Sequence, residues 1–139
     1  MNDLVLDASV ALAWCFDNEA TTATDLVLER LATETAKVPA IWPVEVANAL
    51  AVSERRRRLT PARTAEFIAL LETLVIEVDE EGSPRALGPV LDLARAQRLS
   101  AYDAAYLELA MRLGVPLASK DADLCDAAER LGVTVVRGA

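Results

Sequence analysis

An α/β protein, with a parallel sheet covered by helices on both faces, is predicted by three features of the 139-residue sequence. Short β-type runs alternate with longer stretches in which apolar residues recur at three and four positions, the pattern of strands feeding amphipathic helices. Alanine and leucine dominate while aromatics make up only 4% of the chain, which suits closely packed helices better than an all-β sandwich. The length fits one domain over 1–139, large enough to bury roughly 68% of the surface its unfolded chain exposes.

The elements follow in order. Leu4-Val5-Leu6 reads as a strand at 4–6, followed by helices at 10–16 and 22–33 and a short strand at 37–39. Helices at 43–57 and 61–74 come next, the second opened by Thr60-Pro61 as N-cap and first helical residue. A strand at 75–78 leads to a helix at 84–96, opened in the same way by Ser83-Pro84. Helix 102–113 hands over at Gly114 to a strand at 116–118, and helix 122–131 hands over at Gly132 to a strand at 133–136. Cys15 and Cys125 lie in apolar helical contexts without ligand spacing and read as buried thiols. Trp14, Phe16 and Trp42 read as packing residues rather than base-stacking platforms.

A net charge of −8 argues against a general nucleic-acid coat protein, because phosphate backbones are bound mainly through lysine and arginine. The one basic run, Arg55, Arg56, Arg57 and Arg58, suits the negative pole of the helix it ends; it is also the candidate contact to substrate phosphates. The sequence contains no histidine, which removes imidazole as base, proton shuttle, triad member or metal ligand. Gly-rich dinucleotide and P-loop fingerprints are absent. No apolar run reaches the ~18 residues of a membrane span, and the start lacks a secretory pattern, so a soluble cytoplasmic protein is expected.

Four acids stand in otherwise apolar surroundings: Asp7, Glu45, Asp103 and Asp121. Asp7 ends the first strand and Asp121 follows the fourth, the end of the sheet where ligands of such folds bind. Glu45 and Asp103 each open a helix, and all four read as inward-facing. If they converge, each like-charge pair about 4 Å apart costs roughly 4 kcal/mol at an effective dielectric of 20, and several pairs rival the ~5–15 kcal/mol that holds a domain together. Protons or a cation must answer that repulsion, and Mg²⁺ or Mn²⁺ suits carboxylate ligands. Each acid taken singly also has a plainer reading: Asp7 and Asp121 as helix caps, Glu45 and Asp103 as charges at the positive helix pole.

Val5-Leu6-Asp7-Ala8-Ser9, Pro43-Val44-Glu45-Val46-Ala47-Asn48-Ala49-Leu50, Leu99-Ser100-Ala101-Tyr102-Asp103-Ala104-Ala105-Tyr106 and Leu117-Ala118-Ser119-Lys120-Asp121 together resemble PIN-domain ribonucleases. Within that family the match is to the VapC toxins of toxin–antitoxin pairs, in motif order, spacing and length. The resemblance implies a three-layer α/β/α sandwich around a short, mostly parallel sheet. It implies an acidic pocket of Asp7, Glu45, Asp103 and Asp121 that binds Mg²⁺ or Mn²⁺ and cuts RNA, with Ser9 and Ser119 supporting the site. It also implies a VapB-type antitoxin partner and a homodimer. Asp123 competes with Asp121 for the fourth position, because Ser119-Lys120-Asp121-Ala122-Asp123-Leu124 satisfies both family patterns.

Two other functions compete. An aspartate-based phosphatase would use Asp7 as nucleophile, but the position two residues on is Ser9 rather than a second aspartate. A non-catalytic interaction module would use the acids only to hold a structural ion.

Overall fold

The computed structural model describes residues 2–139. In chain order the elements are β1 (Asp3–Leu6), α1 (Ala8–Ala13), α2 (Thr22–Arg30), β2 (Thr35–Val38), α3 (Trp42–Arg55), α4 (Pro61–Glu72) and β3 (Ile76–Val78). They continue with a 3-10 turn (Ser83–Arg85), a π turn (Ala86–Val90), α5 (Leu91–Gln97), α6 (Ala101–Leu113), β4 (Leu117–Ser119), α7 (Ala122–Arg130) and β5 (Val135–Arg137). The five strands form one sheet, parallel throughout, in the order β3-β2-β1-β4-β5. β1 is central, with Val5 in register with Lys37 of β2 and Leu117 of β4. Leu4, Val5 and Leu6 are fully buried, as a strand covered on both faces requires.

Parallel connections are right-handed, which decides the layers. The chain steps from β1 to β2 to β3 in one direction, so α1 to α4 fall on one face; it then crosses back to β4 and continues to β5 the other way, so α5 to α7 fall on the other. Packing agrees, with α1 against α2 and α3, and α6 against α5 and α7. The direction reverses between β1 and β4. Their carboxyl ends therefore open the crevice in which ligands of doubly covered sheets bind.

Thr60 accepts the Arg63 backbone N–H at 3.1 Å, the expected N-cap, and Gly114 and Gly132 take left-handed φ values of 67° and 81° at the helix-to-strand joints. Ser83 does not cap a helix. The predicted helix at 84–96 is instead a 3-10 turn, a π turn and the short α5. Pro89 is the cause: inside a regular helix its missing N–H and its ring would both conflict with the carbonyl of Arg85, and a widened turn relieves the crowding. β2 begins two residues before the predicted strand; Ala36 and Val38 point into the core, and Lys37 pairs across the sheet with Glu77. α1 starts directly at Ala8 and ends at Ala13, so Asp7 is its N-cap residue.

Cys15 and Cys125 are buried thiols. Trp14 is buried and donates its indole N–H to Thr24 O at 2.8 Å. Away from the crevice, buried Glu108 of α6 meets Arg85 at 3.2 Å and Arg112 at 2.9 Å, and Arg112 reaches on to Asp79 at 2.6 Å. This ion-pair network ties the end of β3 and the 3-10 turn to α6.

Candidate active site

Asp7 lies at the carboxyl end of β1 with 6% of its surface exposed. Its side chain does not cap α1. Ser9 Oγ at 2.8 Å and Ser119 Oγ at 2.7 Å both donate to Oδ2. Each hydroxyl in turn accepts a backbone N–H from the loop after β4: Lys120 to Ser9 at 3.0 Å and Asp121 to Ser119 at 3.0 Å. Two relays from fixed amides thus end on one oxygen, which pins the carboxylate. Burial raises the pKa of Asp7 in spite of these donors, and Asp121 adds to the rise.

Glu45 and Asp103 come from opposite faces of the sheet, in the first turns of α3 and α6. Tyr106 donates to Glu45 Oε1 at 2.8 Å. Burial raises Glu45, and the charge of Asp7 raises it further. Ser100 caps α6 by accepting the Asp103 N–H at 3.1 Å. Asp103 is pushed up to about 6, by burial first and then by Asp121, Asp7 and Glu45.

Charge therefore acts between these acids: Asp121 on Asp7 and Asp103, Asp7 on Glu45 and Asp103, and Glu45 on Asp103. Asp121 is exposed rather than inward-facing, and it does cap α7, accepting the Leu124 N–H at 2.9 Å. The same residue is nonetheless the charge felt by Asp7 and Asp103, whereas Asp123 is not among the groups acting on either. No lysine or arginine is among the groups that act on Asp7, Glu45 or Asp103. Among the described residues no three Asp, Glu, Cys or His side chains are grouped closely enough to hold a metal ion as they stand. The acids' convergence is one of fields. In charge and in element the donor set fits a hard divalent cation: all-oxygen, four negative charges, no imidazole, and no protein cation in answer.

A cleft of about 1040 Å³ runs from Ser9 and Asp121 along α1 and α3. Leu12, Phe16, Ala49 and Val52 give it an apolar floor, Asn18, Asn48 and Ser53 supply amides and a hydroxyl, and Arg58 and Lys120 supply positive charge. Of the basic run only Arg58 lines this cleft. Arg57 takes a left-handed φ of 58° and the Arg58 N–H donates to Ser53 O at 2.9 Å, turning the chain back at the end of α3. Arg55, Arg56 and Arg57 stay on the exposed surface.

Sequence reasoning missed two contributors: Tyr106 and Asn48. Tyr106 lies three residues after Asp103 on the same helix face, a spacing visible in the sequence, but a tyrosine in an apolar stripe reads as core. Phe16, expected as packing, borders both the core and the cleft.

Acids gathered at the reversal point of a doubly covered parallel sheet, beside a long cleft, define an α/β protein built around an acidic crevice. The chain belongs to the PIN domain family, which matches residues 4–130. Among solved structures it is similar to PAE2754 from Pyrobaculum aerophilum, with 21% identity and a TM-score of 0.70 over 97% of this chain and 84% of that one. It is also similar to VapBC2 from Rickettsia felis, solved bound to a DNA fragment from their promoter, with 13% identity and a TM-score of 0.69 over 99% of each chain. A domain of a functionally unknown protein from Methanocaldococcus jannaschii aligns at 16% identity and a TM-score of 0.56, over 99% of this chain and 91% of that one. These likenesses concern the fold. No curated protein matches the chain.

Proposed function

We propose that this PIN domain is a metal-dependent endoribonuclease and the toxin of a type II toxin–antitoxin pair. PIN domains are generally nucleases, and the observation that carries the catalytic reading here is the set of converging acids to which the protein offers no cation. Elsewhere the same chain answers the buried Glu108 with two arginines, so the crevice is the exception.

Asp7, Glu45, Asp103 and Asp121 would hold Mg²⁺ or Mn²⁺, which when bound neutralises phosphate charge and lowers the pKa of water. Ser9 and Ser119 keep Asp7 in one orientation. A carboxylate of the set orients the attacking water. Neither Ser9 nor Ser119 is a free nucleophile, since both hydroxyls are spent on Asp7, and both thiols are buried. An RNA strand would lie in the cleft, its phosphates near Arg58 and Lys120 and its bases over the apolar floor, which suits an unpaired strand because a duplex turns its bases inward.

The toxin half of the reading is supported by the likeness to a VapBC complex over the whole length of both chains. Apolar side chains are also left open at Val44, Leu87 and Tyr102; a VapB-type antitoxin or a second copy of the chain would cover such surface.

The test is cleavage of a labelled single-stranded RNA with Mg²⁺ or Mn²⁺. Chelation should abolish it, and Asp7→Asn or Asp103→Asn should lower the rate by on the order of 100-fold or more with the fold retained. Cleavage that survives both substitutions ends the enzyme reading. A covalent phosphoryl group on Asp7 after incubation with acetyl phosphate would favour the phosphatase instead. Co-purification of a short DNA-binding protein encoded immediately upstream tests the pairing.

A further inference from the structure

We propose that Tyr106 is the positioning residue of the acidic crevice: its hydroxyl fixes the Glu45 carboxylate relative to Asp7 and so sets how tightly the crevice holds a divalent cation. The proposal rests on the metal-dependent reading above.

Tyr106 belongs to α6, and its ring is fully buried. Its hydroxyl donates to Glu45 Oε1 of α3 at 2.8 Å. One bond thus joins α3 and α6, each of which carries one of the acids and which lie on opposite faces of the sheet. A tyrosine held in a packed core has two torsions, both fixed, whereas Glu45 has three and is only half-buried. The order of the carboxylate therefore comes from the tyrosine. Donation to Oε1 leaves Oε2 to face a cation. Hydrogen bonds of this kind, made to the ligand rather than to the metal, typically govern 10–100-fold in metal affinity.

The experiment compares the full chain with Tyr106→Phe, which keeps the ring and removes one oxygen. Mn²⁺ binding is followed without RNA, by the electron-spin signal of the free ion. The variant should bind Mn²⁺ about 10-fold more weakly, while urea unfolding in chelator shows it folded. On RNA, kcat should fall with KM unchanged. In a Glu45→Gln background the same substitution should add no further loss of Mn²⁺ affinity. Wild-type affinity in Tyr106→Phe overturns the proposal, and so does an equal loss in both backgrounds, which is the mark of a merely loosened core. Failure of the unaltered chain to bind Mn²⁺ at all overturns the metal reading itself, a result distinct from either.

Discussion

Asp7 shows how a carboxylate is made to serve in a nearly dry site. Two hydroxyls, each polarised by a backbone amide, hold one of its oxygens, yet burial still outweighs them and its pKa rises. Removing one relay should free the side chain: Ser119→Ala is expected to reduce metal affinity about 10-fold, read by Mn²⁺ titration. It leaves the Asp121 N–H without its acceptor as well, so a small loss of stability, about 1 kcal/mol, should accompany it in urea unfolding. The acids themselves were legible in the sequence, because a charge amid hydrocarbon is conspicuous. Glu108 obeys the same rule, standing in Tyr106-Leu107-Glu108-Leu109, but what distinguishes it is the pair of arginines around it. Arg85 comes from a different segment, beyond the reach of any local pattern. Only coordinates reveal which buried acids have been answered.

At the scale of elements, the ion-pair network around Arg112 holds the irregular 79–90 segment to α6. Arg112→Met should therefore destabilise the fold by about 3 kcal/mol, the lower part of the range for breaking a buried pair, because Arg85 still reaches Glu108. Asp79 is held below its ordinary carboxylate range by the Arg112 guanidinium. Its contribution is accordingly present above the unfolded pKa and lost as acid protonates it, and in Arg112→Met that acid-side loss should flatten in urea titrations across pH 2–5, on the order of the usual carboxylate range. Strands and helices were readable from periodicity, since all five strands begin within two residues of hydrophobic runs that no helix pattern explains. The break in the predicted 84–96 helix was signalled by Pro89, but a proline inside an apolar-periodic stretch allows a kink, a stop or a widened turn alike. Packing against α6 makes the choice. The exposed Leu87, at 89% of its full surface, sits at the outer bend of that turn.

For the whole molecule, the crevice is a local excess of charge that folding must tolerate. Asp103 keeps its proton up to about 6 in the folded chain but releases it near 3.8 when unfolded, and Asp7 and Glu45 are shifted in the same direction. The folded state holds more protons in that window, so in chelator the melting temperature should fall as pH rises from about 4 through 6. Mn²⁺ should reverse the trend, stabilising most at the upper end, where the acids are ionised; a melting temperature indifferent to both pH and Mn²⁺ would show that the acids do not share a site. The reversal in strand order between β1 and β4 was not legible in the sequence, which lists the strands but not their neighbours.

Chain order carries a consequence for synthesis. Ser119, which steadies Asp7, lies 112 residues downstream of it, and β4, which must slot in beside β1, is translated only after β2, β3 and α1 to α6. A nascent polypeptide on the ribosome therefore has acids but no assembled centre. On the nuclease reading proposed above, it would leave the transcripts around it uncut until β4 is in place.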